Sequence, residues 1–391
     1  SGKTYASNKA PLLDVIKLNR AIDCRKCISL KWTKFIHTCL VYQFNFGDKD
    51  MKDINHFVGV DISSEYFTVS FLRAKDMKLV SFENFENSAN GFQNLLADFQ
   101  SHRIDEGNAA ICMEATGVYG ESLLAFLVAR GYAVAVENPY KVKRAFDISP
   151  KKSDKIDSGK LAEYAYRFYD QLHFWTPKPQ IIEEISIFLV QREQITKQKI
   201  STGNALHALK RKNFQSEKAI SLYESIIKNC QENIKTIDKE IEALIQKDPE
   251  YKQMIENLKS VPGVGNMLAN HLLVATNGFS KHLNAKELSS YIGIVPLVYE
   301  SGKSIRRKNT SSGVGPGTLR KLMYLSSMTS RRYDENNKKY FLRKVAEGKS
   351  KRLVLNNIAN KLLKLLVALI ISKKPYNKNF VSINPIFLKK N

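Results

Sequence analysis

The stretch HFVGVDISSEYFTVSFL, residues 56–72, decides the fold of the first half of the chain. FVGVDI is an apolar run of strand length that ends beside an acid, and YFTVSFL (Tyr66–Leu72) follows it after a short polar turn. KLVSFEN (Lys78–Asn84) is typical of a third strand. Three strands joined by short connections predict a meander.

Beyond the meander, predicted strands and helices alternate. AAICMEA (Ala109–Ala115) and YAVAVEN (Tyr132–Asn138) are strand-like, and the helical periods cover Gly91–Phe99, Glu121–Arg130 and Lys155–Tyr169. A meander followed by alternation predicts an α/β domain, a mixed sheet flanked by helices, as in RuvC and other ribonuclease-H-like folds. We assign residues 51–178 to it. Residues 1–50 show no clear period and are interpreted as an upstream extension outside the core.

The rest of the chain predicts an all-α part. Gln191–Lys212 and Glu217–Gln246 are long, charged and amphipathic, which favours a coiled-coil dimerisation arm over residues 179–256, with an ordinary helical bundle as the alternative. SVPGVG (260–265) lies between helices and is typical of a helix-hairpin-helix motif, in which Gly263 and Gly265 let backbone N–H groups approach phosphates. Residues 257–377 form a mostly helical domain with a basic, Gly-rich loop at Lys303–Gly317, and 378–391 form a basic tail.

Charge is concentrated near the end of the chain. Residues 301–391 hold 22 basic and 3 acidic residues, a net +19, whereas the whole chain carries +23. This excess indicates a polyanionic partner, and nucleic acid is the interpretation that we favour over a merely basic surface.

The cysteines and the hydropathy exclude two other classes of protein. Five cysteines are too few and uneven for a disulfide framework, and the set Cys24, Cys27, His37 and Cys39 only weakly suggests zinc. No run reaches the roughly 18 uncharged apolar residues that span a bilayer, and Leu362–Ile371 is interpreted as a buried helix. We therefore expect a cytoplasmic, nucleoid-associated protein without a membrane partner.

Four carboxylates are the candidate catalytic group. Asp61 ends the first strand and Glu114 the fourth, while Asp154 and Asp157 stand three apart at a helix start and so share one face. A carboxylate at the end of an apolar strand is costly unless it is solvated or ligated. Clustered carboxylates suit Mg²⁺, and two such ions about 4 Å apart clamp a phosphodiester. Singly, each acid is better explained as a solvated strand-end residue.

Basic side chains around these acids are candidate nucleic-acid contacts. They are Lys141, Lys143, Arg144, Lys151 and Lys152 near the acids, and Lys303, Arg306, Arg307, Lys308 and Arg320 farther along. A solvated run of charges is the alternative. Ser301, in YESG, is by its residue type an ordinary turn serine.

Taken together, the motifs resemble the DEDD transposases of the IS110 (IS110/IS1111) group of insertion sequences, which includes Piv-type invertases. The resemblance runs from about Met51 to Asn377 through VGVDIS, EATGVY, NPYKVKRAF with KSDKIDSGKLAEY, SVPGVG, LSSYIGIVPLVYESG and SGVGPGTLRKLMY. It implies that Asp61, Glu114, Asp154 and Asp157 are the metal-binding tetrad. It also implies that Ser301 is the nucleophile of a serine recombinase that passes through a phosphoserine intermediate.

The same resemblance implies the partners. Family members act on donor and target DNA, are guided by a structured non-coding RNA (bridge or seeker RNA), and assemble as dimers and as tetramers of two dimers. Their active site joins one subunit's tetrad to another's serine domain. We therefore expect an RNA-guided transposase, with a RuvC-like Holliday-junction or structure-specific endonuclease and a non-catalytic nucleic-acid-binding protein as alternatives.

Overall fold

The structure is a computed structural model, and it describes residues 54–81, 84–115, 117–146, 154–281, 284–297, 300–301, 305–306, 310–311, 313 and 315–378. The chain divides into two compact units between Pro177 and Lys178. The predicted extension 1–50 and nearly all of the predicted tail lie outside the described residues.

The first unit is built on one mixed sheet. Its strands are β1 (His56–Ile62), β2 (Tyr66–Arg73), β3 (Leu79–Ser81), β4 (Phe85–Glu86), β5 (Ala109–Glu114) and β6 (Ala133–Glu137). The order is β3-β2-β1-β5-β6, with β4 also pairing with β2. β2 is antiparallel to β1, β3 and β4, whereas β1, β5 and β6 run parallel. This confirms the meander followed by parallel strands and is consistent with a RuvC-like domain.

Helices cover both faces of this sheet. They are α1 (Ala89–Ser101), α2 (Glu121–Val128), α3 (Pro139–Ala145) and α4 (Asp154–Arg167). One core contains side chains of α1 and α2 with Val58, Val60 and Ile111. The other contains side chains of α3 and α4 with Phe57 and Cys112. Alternate residues of β1 and β5 thus enter opposite cores, as the two-residue period of a strand requires.

Two details of this unit differ from the sequence prediction. Within the predicted strand Lys78–Asn84 the structure has β3 at Leu79–Ser81, and β4 begins just beyond the predicted end, where Asn84 accepts a hydrogen bond from the Thr68 hydroxyl at 2.7 Å. Helix α3 was not predicted from the periodicity, although it carries ordinary start signals. Asn138 caps it by accepting from the Tyr140 N–H, and Pro139 is its first residue.

The second unit is mainly helical. Its helices are α5 (Gln180–Leu209), α6 (Glu217–Gln246), α7 (Pro249–Lys259), α8 (Asn266–Ala275), α9 (Ala285–Ile292), α10 (Gly317–Tyr333), α11 (Glu335–Ala346) and α12 (Lys351–Ser372). Helix α5 begins 11 residues before the predicted Gln191, because Ile182, Ile185 and Leu189 continue the helical spacing and are buried. Helices α5 and α6 share one core with α7, α8 and α12.

The predicted loop Lys303–Gly317 contains two short strands, and each pairs with a strand that precedes the loop. β7 (Pro296–Leu297) pairs with β10 (Thr310–Ser311), and β8 (Glu300–Ser301) pairs with β9 (Ile305–Arg306), both antiparallel. The segment is therefore two nested pairs of two-residue strands and not a loop throughout.

Helix α12 has no run of 18 uncharged residues, as expected, since Lys361 and Lys364 interrupt it. By length and composition alone it is nevertheless apolar enough to cross a membrane. However, 56% of its most apolar window is buried inside the structure, and Leu362, Leu363 and Leu366 lie in the core of the second unit. Helix α12 is therefore buried as a core helix is, which agrees with the buried helix predicted for Leu362–Ile371.

Candidate active site at the carboxyl edge of the sheet

Asp61 and Glu114 come from neighbouring parallel strands. β1 and β5 pair in register up to Val60 opposite Met113, so Asp61 and Glu114 occupy the next positions side by side. Because side chains alternate along a strand, both acids share the face of Cys112, which packs against α4. Both are partly buried. The carboxyl ends of β1 and β5, with that of β6, form what we call the acidic edge.

Helix α4 carries the other two acids of the predicted tetrad. A Cβ atom on Gly59 would lie 2.0 Å from the Ser158 carbonyl oxygen and 2.3 Å from the Ala162 nitrogen, so the missing side chain lets the α4 backbone lie directly on β1. Asp154 and Asp157 occupy the first turn of this helix, where the helix dipole stabilises negative charge. The contact at Gly59 therefore fixes the start of α4 relative to Asp61.

The charges of these acids act on one another. The pKa of Asp61 is raised from 3.8 to about 6, first by burial of its carboxyl group and then by the negative charges of Glu114, Asp154 and Asp157. Asp157 is partly compensated, since Lys160 donates to its carboxylate at 3.1 Å. The structure thus brings all four predicted acids within electrostatic reach of one point.

The chemistry of this donor set fits a hard cation. Carboxylate oxygens are the ligands that Mg²⁺ prefers, and a cation would relieve the repulsion that raises the pKa of Asp61. Across the described parts of the chain, no three His, Cys, Asp or Glu side chains already stand in the geometry of a metal site. The four acids are therefore close enough to interact, without being arranged as ligands.

A fifth carboxylate at this edge was missed by the sequence analysis. Glu137 ends β6 directly opposite Glu114 in the parallel pairing, is only 4% exposed, and accepts a hydrogen bond from Lys141 Nζ at 3.2 Å. Its charge helps to raise the pKa of Tyr164, after burial of that side chain. The signal was present, because AVAVE is an apolar strand that ends on an acid, as the strand of Asp61 does.

The predicted basic contacts near the acids divide into three groups. Lys141 is paired with Glu137, whereas Lys143 and Arg144 are exposed on the same short helix. Arg144 lies beside Tyr140, with its guanidinium carbon 5.5 Å from the ring centroid. Lys151 and Lys152 lie outside the described residues.

The predicted nucleophile lies in the second unit. Ser301 ends β8, and its backbone pairs with Ile305 of β9. Arg306 follows in β9, opposite Glu300. Lys303, Arg307 and Lys308 lie outside the described residues, and the roles of all these residues remain predictions.

The predicted helix-hairpin-helix turn joins α7 and α8, and its two glycines have different surroundings. Gly263 has a φ of +97°, and a Cβ there would lie 2.7 Å from the backbone oxygen of Ser326 and from the nitrogen of Ser330. A glycine is thus required for packing against α10. Gly265 precedes α8, is exposed and has open space around it, which leaves it accessible to a phosphate.

Arg320 has a structural contact in addition to its predicted one. Its Nη1 donates to the carbonyl oxygen of Ile292, at the end of α9, at 3.0 Å. That bond satisfies a carbonyl group that a helix end leaves without an intrahelical partner.

Two family models match the chain on either side of helix α6. A model described as a transposase matches residues 58–214, and one described as a transposase of the IS116/IS110/IS902 family matches residues 255–342. The first match includes Asp61, Glu114, Asp154 and Asp157, and the second includes Ser301.

Similar proteins point the same way. The pilin gene-inverting proteins of Moraxella bovis and Moraxella lacunata are each 28% identical over 327 residues, which is 82% of this chain and 98% of theirs. An uncharacterized 43.6 kDa protein of insertion element IS110 from Streptomyces coelicolor is 30% identical over 139 residues, 36% of this chain and 33% of its own length.

Proposed function

Because the chain belongs to the IS110 family of DEDD transposases and is a DNA transposase or recombinase, we propose that it cuts and rejoins DNA strands at the acidic edge. The observation that carries this proposal is the grouping of the tetrad, because Asp61 and Glu114 end neighbouring parallel strands and the helix that begins with Asp154 and Asp157 packs directly on β1. Their charges also raise the pKa of Asp61. Carboxylates that repel one another destabilise the fold, so their grouping is better explained by a functional site than by stability.

We propose that Asp61, Glu114, Asp154 and Asp157 hold Mg²⁺, as one ion or two. When bound, the cation neutralises the acids and polarises the scissile phosphodiester. The protein's own part is to orient the carboxylates: β1 and β5 fix Asp61 and Glu114 by their pairing, and the contact between Gly59 and α4 fixes the two aspartates. Lys160 holds Asp157 from the same helix.

The proposed nucleophile is Ser301. Its hydroxyl oxygen forms an ester with the scissile phosphate, the bond from that phosphate to the leaving strand breaks, and the strand departs with a free hydroxyl end. Attack by the free strand end on the phosphoserine reverses the step and releases Ser301. The position of Ser301 within the family match, in the YESG motif, supports this role.

Nucleic-acid partners follow from charge and from the family. A net +19 over residues 301–391 supports binding of DNA and of a structured guide RNA, whose pairing would supply sequence specificity while the protein binds backbone. The two 30-residue helices α5 and α6 support the proposed dimerisation arm, since Ile187, Val190 and Leu222 stay exposed on them. We propose dimers that assemble into tetramers on DNA in the bacterial cytoplasm.

Strand exchange between labelled donor and target DNA, with the RNA that co-purifies with the protein, tests this function. Asp61→Asn and Ser301→Ala are expected to keep DNA affinity and lose exchange, while the matched control Ser304→Ala keeps both. Wild-type protein should form a DNA adduct that survives denaturation, and Ser301→Ala should not. Digestion of the RNA should abolish exchange, and its sequence should pair with the element's flanks.

The alternatives predict other results. Full cleavage by Ser301→Ala without an adduct would show a structure-specific endonuclease that uses the tetrad alone. Absence of Mg²⁺-dependent cleavage by the wild-type protein with its RNA would indicate a non-catalytic binding protein.

A further inference from the structure

Exposed apolar side chains of the first unit are concentrated at the acidic edge. Among its described residues, the large apolar side chains that remain exposed are Tyr66 (49%), Met77 (49%), Leu79 (47%), Val118 (70%), Tyr119 (52%) and Tyr140 (59%). Four of the six stand where the chain enters or leaves the carboxyl ends of β1, β5 and β6, including all three tyrosines. Met77 and Leu79 belong to the β2–β3 turn at the opposite end.

We propose that Tyr66, Tyr119 and Tyr140, the tyrosine rim, form a stacking surface for the bases of an unpaired DNA strand beside the acidic edge. This inference rests on the proposed function, because it takes the strand that is cut there as the ligand. It assigns the rim a role in base binding that is separate from metal binding and from the serine.

Two of the tyrosines are held in one hydrogen-bonded frame. The side-chain amide of Asn87 donates to the Ser63 carbonyl at 3.1 Å and to the Tyr119 carbonyl at 3.0 Å. Ser63 in turn bonds Tyr66 through its backbone N–H and its hydroxyl, at 2.8 and 2.7 Å to the Tyr66 carbonyl. The backbone of Tyr66 and Tyr119 is therefore fixed beside the ends of β1 and β5, while both rings stay exposed.

Tyr140 is placed by the start of α3. Its N–H donates to the capping Asn138 side chain at 2.8 Å, and the guanidinium of Arg144 lies beside its ring. Lys143 is exposed on the same helix. An aromatic face next to two exposed cations offers a base a stacking partner and its phosphate a counter-charge.

An unpaired DNA strand fits these features better than a duplex or a protein. In a duplex each base face is covered by its neighbours, so a tyrosine stacks most readily on an unpaired base, whereas insertion into a duplex must first unstack it. Strand exchange requires unpaired bases next to the cut, which places them at the acidic edge. The rim also lies beside the acids of the acidic edge and the exposed cations Lys143 and Arg144, unlike the contiguous apolar patch of a typical protein-binding surface.

The test compares a short single strand with the same strand made abasic, so that phosphate charge is constant and only stacking differs. Affinities are measured by fluorescence anisotropy with EDTA present. We expect wild-type protein to prefer the normal strand by about tenfold, which corresponds to about 1.4 kcal/mol. Replacing all three tyrosines by Ala should remove most of that preference, whereas three Phe replacements should keep it.

Met77→Ala, equally exposed at the other end of the sheet, is the matched control and should bind like the wild type. Photocrosslinking of a strand that carries 5-bromouracil, followed by mass spectrometry, should place adducts on the rim tyrosines. Retained preference after the Ala replacements, or crosslinks confined to residues 178–391, would overturn the inference. An effect seen with RNA of the same sequence and not with DNA would overturn the assignment to DNA.

This outcome is separable from that of the proposed function, since the assay contains neither metal nor cleavage. If the wild-type protein exchanges strands but its base preference does not depend on the tyrosines, the rim proposal is wrong and the proposed function still holds. A tyrosine-dependent preference in a protein that never cleaves DNA would support base binding at the rim and overturn the proposed function.

Discussion

Replacement of Asp61 by Asn is expected to stabilise the folded protein at neutral pH while abolishing DNA cleavage. Burial, followed by the charges of Glu114, Asp154 and Asp157, raises the pKa of Asp61 from 3.8 to about 6. Between these two values the native state holds a proton that the unfolded chain has released. Stability therefore falls as the pH rises from about 3.8 through about 6, and the full loss persists above that range.

The magnitude follows from the size of the shift. A change of about two pKa units is worth about 3 kcal/mol at 1.36 kcal/mol per unit, and this is an upper limit. The carboxyl group is only partly buried, so water and salt screen it, and we expect about 1 to 1.5 kcal/mol. Asn keeps the size of the side chain and removes the charge, so the variant should escape this penalty.

Urea unfolding in EDTA measures the difference between the two proteins. Asp61→Asn should be more stable than the wild type at about pH 8, and the difference should shrink toward zero near about pH 4. Asp170→Asn, the same change at an exposed position of the same unit, is the control and should show no such pH-dependent gain. Added Mg²⁺ should stabilise the wild type more than the variant, because a ligand of the native state adds to its stability. An Asn variant no more stable than the wild type at the higher pH would refute the reasoning.

Two further predictions concern residues that position the acids. Gly59→Ala places a Cβ against the α4 backbone and should lower the free energy of unfolding by about 1–3 kcal/mol. Gly203→Ala, at a position in helix α5 with open space around it, should raise that free energy by about 0.5–1 kcal/mol. Both are measured by urea unfolding, and equal effects would contradict the packing argument. Lys141→Ala leaves the buried Glu137 without its ion partner and should destabilise the folded protein by about 1–2 kcal/mol. Lys143→Ala on the same helix should be nearly neutral in thermal unfolding. Similar losses for both lysines would show that the Lys141–Glu137 pair has no structural role.

The sequence predicted the fold where the spacing of apolar residues had one interpretation. The strands at His56–Ile62 and Ala133–Glu137 are buried runs with clear ends, and the helix at Glu217–Gln246 keeps one period throughout. The sequence did not reveal contacts between elements that are distant along the chain. The side chain of Asn84, just before β4, accepts a hydrogen bond from Thr68 of β2, and no pattern in the sequence indicates that partner.

The candidate site could be predicted from the sequence only as far as the order of the strands could be predicted. Once Asp61 and Glu114 are placed at the ends of adjacent parallel strands, their proximity follows from the pairing. The sequence could not show why residue 59 is a glycine, because the lack of room for a side chain there depends on where α4 crosses β1. Glu137 carried the same strand-end signal as Asp61, and only the structure gives its ion partner.

The acidic edge therefore carries two kinds of strand-end acid. Glu137 is more deeply buried than Asp61, yet it pairs with Lys141 of the helix that follows its strand, so its charge is compensated within the protein. Asp61 lies among three further acids that raise its pKa, and within the described part of the chain no lysine or arginine lowers it. A bound cation would compensate this charge. The same reasoning predicts that Lys141, already paired, contributes less to DNA binding than Lys143 or Arg144. The partner of each acid, and not its burial, distinguishes a structural carboxylate from one kept for chemistry.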